Sequence, residues 1–311
     1  RNENEEETGL YFGVYDGHCG SQASRYLREH LGRACKEGLS KGCKSKLQWE
    51  ETVIKVHEDV DRQFLAAELK QREASGTDEL YCGSTSISLF VKETEGWGFV
   101  ANAGDCRAVL YHQRSILPLS FDHRIPKGKK TNRETERVLA LGAWIEDGRL
   151  CGELEPTRGF GDHDFKAKLH EQFSDKTFEG HLVIPTPDIE WFSLLSSPEQ
   201  IAEQNSADLE CTDSPGGVEE HLSFIVLATD GLWDEISNEQ VLYLVSEKFP
   251  SGEKIELEAV QDAADLLIHI ARKRSKRKKY HLMDNTTVIV VVFTSCEDPS
   301  NYKGSNSNCE Y

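Results

Sequence analysis

The 311-residue chain has a single methionine, Met283, far from its first residue, Arg1. Arg1 is therefore not a translation start, and residues are expected upstream of it. Long apolar runs are missing too. The longest, around Val288 to Phe293, falls well short of the roughly 20 residues that cross a bilayer. No transmembrane helix is expected, and the first residues carry no leader pattern. Nine cysteines form an odd set without a Cys-x-x-Cys pair. Neither a disulfide framework nor a zinc ribbon is indicated, and reduced intracellular thiols are the simpler account. Basic residues are in deficit: 36 Lys and Arg against 54 Asp and Glu leave a formal charge of -18. That balance argues against nucleic acid as the main partner. Internal repeats and a regular strand-helix alternation are absent as well, which disfavours a doubly wound parallel sheet.

The length allows a large core, in one large domain or two ordinary ones. The most informative stretch is Leu10 to Gly20, where an apolar run stops abruptly at Asp16-Gly17-His18. It predicts a buried strand that delivers Asp16 to a sheet edge, with glycines opening the turn. Phe224 to Thr229 ends in the same way at Asp230, and Asp284-Asn285 precedes Thr286 to Phe293. Two acids close strands and the third opens one, so antiparallel pairing would gather all three carboxylates at one edge. Converging carboxylates repel unless a cation neutralises them, and oxygen ligands favour Mg2+ or Mn2+ over zinc. Any one of these acids could equally cap a strand or start a turn. The repeated placement is what points to a metal.

Helical spacing marks Ser21 to Cys35, Trp49 to Leu69, Arg133 to Leu141, Asn238 to Phe249 and Glu258 to Lys273. Strand patterns mark Ser84 to Val91, Trp97 to Ala101 and Arg107 to Tyr111, and Trp144 to Cys151 reads as a hairpin turning at Asp147-Gly148. Residues 1 to 8 read as a polar loop. The basic loop Ile125 to Thr131 is not a nucleotide-binding loop, because His123 stands where the required glycine would be.

Six phrases occur in order: Phe12 to Gly20, Gly83-Ser84-Thr85, Asn102 to Arg107, Thr157 to Asp162, Ala228 to Asp234, and Asp284 to Thr287. The series resembles the motifs of the metal-dependent protein serine/threonine phosphatases of type 2C, the PPM family, from about residue 10 to residue 294. The resemblance implies an α+β fold, an α-β-β-α sandwich of two packed antiparallel sheets flanked by antiparallel helix pairs. It implies a catalytic domain over 1-295 and a polar tail over 296-311. A flap falls at about 163-190 and a polar, acidic insertion at about 196-220, both poor places to look for core.

The resemblance also assigns roles. Asp16 bridges two metal ions, the Gly17 carbonyl is a ligand of one, and Asp230 and Asp284 complete the protein ligation, the remainder being water. Mg2+ or Mn2+ would activate water for in-line attack on phosphoserine or phosphothreonine in protein substrates. His18 is the general acid. Asp105 and Asp234, with Asp230, match the ligands of a third metal, although Asp105 also reads as a turn residue. Arg158 and Asp162 match the motif before the flap, where Arg158 either serves the site or only anchors backbone. Glu155-Pro156 departs from the usual small or apolar residues there. A monomer, cytoplasmic or nuclear, is expected.

Two rivals stand beside this reading. One is a catalytically inactive relative acting as a binding or regulatory module. The other rests on Cys19-x5-Arg25, the spacing of thiol phosphatases, but that loop lacks its usual central glycine and Arg25 falls on the expected helix. Arg272 to Lys279 holds seven basic residues in eight. It reads either as an import or anion-docking patch or as a helix end whose cations suit the dipole. The family's strand before the first motif, with its phosphate-gripping arginine, has no clear match in Arg1 to Gly9.

Overall fold

The computed structural model describes residues 9–43, 45–75, 82–128, 130–166, 179–205, 212–213, 222–249, 254–276 and 284–294. The expected loop over 1 to 8 and the tail over 296-311 lie outside them, as do parts of the flap and the acidic insertion. Nine strands form the two main sheets: β1 (Leu10–Val14), β2 (Ser86–Lys92), β3 (Trp97–Ala103), β4 (Arg107–His112), β5 (Ser115–Pro118), β6 (Asp188–Ser193), β7 (Thr212–Asp213), β8 (Ser223–Ala228) and β9 (Val288–Phe293). The first sheet has the order β1-β2-β3-β6 and the second β7-β5-β4-β8-β9. Every neighbouring pair in both is antiparallel.

Seven helices are described: α1 (Gln22–Leu39), α2 (Lys46–Ser75), α3 (Arg133–Ala140), α4 (Pro198–Gln204), α5 (Asp230–Trp233), α6 (Asn238–Ser246) and α7 (Leu257–Ser275). In α1 the buried residues Ala23, Leu27, Leu31, Cys35 and Leu39 recur every fourth position, giving one apolar stripe. The stripe continues past Cys35, so the helix is longer than the expected segment. Asn132 caps α3, its side chain accepting the Thr135 N–H at 2.8 Å, and Gly142 follows the helix with φ +88°.

The layers explain why β2 and β8 read as nearly unbroken apolar runs: both faces of each sheet are covered. Between the sheets, Val14, Ile87, Leu89 and Val100 meet Ala108, Leu110, Ile225 and Leu227. On the outer side of the second sheet, Val109, Tyr111, Phe224 and Val226 pack on Val241 and Val245 of α6 and Ala263 and Leu267 of α7. On the outer side of the first, Ala103 packs with Leu27 and Val60, while Phe90, Phe99 and Trp191 pack with Leu39 and Val53. The helix pair α1-α2 covers that face. The fold is the expected α-β-β-α sandwich.

Two expectations need correction. The three site acids do not share one sheet: Asp16 follows β1 of the first, whereas Asp230 follows β8 and Asp284 precedes β9 of the second. Nor are the flap and insertion regions free of core. β6 completes the first sheet with Trp191 and Phe192 buried, Leu182 and Val183 pack on Phe165, and Ile201 of α4 enters the intersheet core. Charged Asp188 and Glu190 hide the strand in the sequence. Asp188 tolerates its position because His123, Arg133 and Arg158 surround its carboxylate.

Candidate active site

Sandwich packing brings the end of β1 to the end of β8, where Asp16 and Asp230 face each other. The Asp16 carbonyl accepts the Thr85 N–H at 2.9 Å, fixing the turn. Asp284 is held on the other side by pairing between two loops. Thr229 Oγ1 donates to the Asn285 carbonyl at 3.1 Å and accepts the Thr287 N–H at 3.2 Å. The two loops approach so closely that a Cβ on Gly231 would lie 2.6 Å from the Asn285 carbonyl oxygen. Only glycine fits there.

Burial, then the charge of Asp284, pushes Asp16 up to about 6. Burial, followed by the charges of Asp105, Asp16 and Asp284, pushes Asp230 up to about 9. Asp105 is pushed up to about 7, by burial first, with Arg124 opposing and Asp122 and Asp16 reinforcing. Such raised carboxylates are the signature of negative charge that lacks a counterion. The Asp230 Oδ1 atom is also buried with no hydrogen-bond partner among the described residues. A buried, unpaired carboxylate oxygen costs stability unless something binds it.

These residues fit a hard divalent cation. Among the described residues, no group of three or more His, Cys, Asp and Glu side chains is placed closely enough to hold an ion by itself. Ions held here would need water in much of their coordination shell, as Mg2+ ordinarily does.

His18 ends the short strand Gly17–His18, which pairs with Gly83–Ser84, itself paired with Phe160–Gly161. This three-stranded patch brings His18 Nε2 to 2.6 Å from Asp162 Oδ1. Asp162 is 4% exposed and stands in the left-handed region at φ 50°. Burial alone would lower the His18 pKa, but the Asp162 carboxylate, with help from Asp105 and Asp16, holds it above its usual value. Gly83 lies against this pair: a Cβ there would collide with both Asp162 carboxylate oxygens and His18 Nε2.

Several residues that sequence reasoning passed over build the surroundings. Arg124 Nη1 donates to Asp234 Oδ1 at 2.8 Å, so a guanidinium already sits against one proposed third-metal acid. Asp122 joins Arg107, with contacts of 3.0 and 2.6 Å, and Arg107 also donates to Asn238. His123, fully buried, accepts the Gly104 N–H on Nδ1 at 3.2 Å and holds Asp188 through Nε2 at 2.7 Å. That pattern fixes the Nε2–H tautomer, and burial lowers the ring's pKa. It ties the Asp105 turn to β6. The Asp122-His123-Arg124 run was the available signal.

Arg158 resolves toward anchoring. Its Nε and Nη2 reach Glu134 Oε1 at 3.1 and 2.7 Å, and its Nη1 reaches the Thr186 carbonyl and Asp188, both at 3.0 Å. The Cys19-Arg25 pair does not form a phosphate loop. Arg25 donates its backbone N–H to Ser21 within α1, while burial and the charges of Asp162 and Glu153 raise the Cys19 thiol. A raised thiol is the wrong direction for a nucleophile.

Comparison with known proteins agrees with this layout. The family model described as Protein phosphatase 2C matches residues 1–203 and 204–279. Protein phosphatase 2C 57 of Arabidopsis thaliana is 31% identical over 302 residues, covering 90% of this chain and 66% of that protein. Probable protein phosphatase 2C 47 of Oryza sativa is 30% identical over 288 residues, covering 92% of this chain and 60% of that one. The chain thus spans about two thirds of the length of these relatives. In fold it resembles the crystal structure of a serine-threonine phosphatase 2C from Toxoplasma gondii, with a TM-score of 0.61 at 18% identity, covering 94% of this chain and 87% of that one. With the family model matching most of its length, the chain belongs to the protein phosphatase 2C family.

Proposed function

We propose that the chain hydrolyses phosphoserine and phosphothreonine in proteins at a binuclear Mg2+ or Mn2+ centre. The observation that carries this is the convergence of Asp16, Asp230 and Asp284, with the pKa values of Asp16 and Asp230 raised by burial and neighbouring charge and an orphaned Asp230 oxygen, in a chain of this family. Asp16, the Gly17 carbonyl, Asp230 and Asp284 would hold the ions. When bound, such a pair supplies a water acidic enough to attack phosphorus near neutral pH and offsets the charge of the phosphate.

The protein's own part is proton delivery and exclusion of the wrong geometry. With Nε2 donating to Asp162, the deliverable proton of His18 sits on Nδ1, which protonates the departing serine or threonine oxygen. Asp162 keeps the imidazolium charged and oriented. No covalent intermediate is needed, because water attacks in line with the leaving oxygen. Asp105 remains a candidate for a further ion, in competition with Arg124 for Asp234. An inactive binding module is disfavoured, since such a chain has no use for four intact site groups.

The test is phosphate release from a phosphothreonine peptide with Mn2+ or Mg2+, with chelator, and in Cys19→Ser. Release that needs the ion and survives Cys19→Ser is expected. Release that survives chelation and is lost in a folded Cys19→Ser protein would sink the proposal.

A further inference from the structure

The carboxylate centre opens into a cleft of about 1000 Å3. Asp230, Asp234 and Asp284 line one part of it, and Arg124, Lys127, Lys130, Arg149 and Arg272 line the remainder. These cations come from three separate places: the loop before α3, the turn at Gly148, and the last turn of α7. The first two are in contact, since a Cβ on Gly148 would stand 3.7 Å from Lys127 Cγ.

Pairing sorts these charges. Arg124 is held by Asp234, and Arg149 by the Glu153 carbonyl at 2.8 Å and Glu155 at 3.3 Å. Among the other acids lining the cleft, Asp122 is neutralised by Arg107 and Glu155 by Arg149, and Glu235 lies toward the α5 end beside Asp234. The side chains of Lys127, Lys130 and Arg272 have no hydrogen bond or ion pair with a described residue. The cleft is lined by six Lys and Arg and six Asp and Glu, and three unpaired cations on one wall of it are a local departure from a chain of formal charge -18. Elsewhere such a chain repels anions, so this wall gives the cleft a direction of approach.

We propose that Lys127, Lys130 and Arg272 form an anion subsite that recognises a second negative side chain, carboxylic or phosphorylated, on the peptide whose phosphorylated residue enters the carboxylate centre. The placing of the peptide rests on the phosphatase reading. A peptide is favoured over a nucleic acid because the chain's net charge opposes a long polyanion.

The test separates binding from turnover. Fluorescent phosphothreonine peptides with neutral flanks, with acidic flanks, or with a second phosphate are titrated onto the protein in chelator, where ion-dependent turnover is off. The two anionic peptides are expected to bind about tenfold tighter than the neutral one, an advantage that fades as salt screens the contacts. Comparing them tells which source of negative charge the subsite prefers. Lys127→Gln with Lys130→Gln, and separately Arg272→Gln, should each lose about three- to fivefold on the anionic peptides only. Equal affinity for all three peptides, equal losses on the neutral one, or an oligonucleotide that displaces the acidic peptide at lower concentration than the peptide itself would overturn the subsite. Turnover is then measured with Mn2+. If no peptide is hydrolysed, the phosphatase reading falls while the order of affinities still decides the subsite.

Discussion

Replacing Glu134 by glutamine removes one charge from the most heavily paired carboxylate near the site. Glu134 is 1% exposed, and its two oxygens accept from Arg158, Arg137 and Thr157. Burial would raise its pKa, but the hydrogen bonds and charge of Arg158, with His123 and Arg137, bring it down to about 2 from the ordinary 4.5. At 1.36 kcal/mol per unit, that displacement corresponds to about 3.4 kcal/mol, or roughly a 300-fold change in the folding equilibrium. Leaving two guanidiniums short of an anion has a cost of the same order, about 3 to 5 kcal/mol. The sign follows from the depressed pKa: the contribution is complete above about 4.5 and is lost as pH falls through about 2. Urea unfolding of both proteins at pH 7 should therefore show a gap of about 3 kcal/mol, narrowing steadily below pH 4.5. A gap under about 1 kcal/mol, or one that stays constant down to acid, would refute this account of the network.

Other expectations concern the site directly. Asp230→Asn should abolish phosphopeptide hydrolysis yet raise the melting temperature measured in chelator, because it removes a carboxylate whose ionisation its neighbours oppose; a lower melting temperature would contradict the repulsion argument. His18→Gln should slow phosphopeptides by about 10²- to 10⁴-fold but an aryl phosphate far less, since a phenolate leaves without an acid; equal losses would assign His18 another role. Gly83→Ala should mimic His18→Gln in that substrate ratio while leaving the fold intact by circular dichroism, because the added methyl drives His18 and Asp162 apart. Unchanged kinetics in Gly83→Ala would mean that the pair is not needed in that geometry.

The site was legible where chemistry is contiguous in sequence. An apolar strand that ends in Asp16-Gly17-His18, or Asp284 immediately before one, announces its position without any knowledge of its partner. Pairing of β8 with β9 then follows from their continuous apolar patterns. The supporting network was not legible, for the opposite reason. Glu134 lies 24 residues from Arg158, and Arg158 lies 30 from Asp188, so neither acid reads as other than a solvated charge and the partners of Arg158 are hidden. β6 was lost for the same cause, its charges counting against a strand until their partners are known. Arg124 shows a further limit, because only the three-dimensional placement of Asp234 tells a basic loop residue from a site cation.

Asp16 follows β1 and Asp284 precedes β9, and among the described residues each of those strands is the outermost of its sheet. An ion shared by Asp16 and its partners across the layers would act as a rivet on two selvedges. Shear of one sheet over the other would have to break it. Exposed strand margins are where chains recruit one another, so stripping the rivet should loosen both margins together. Amide exchange in β1 and β9 is expected to quicken in concert on chelation, and light scattering to rise; independent exchange of the two strands would show that nothing ties them.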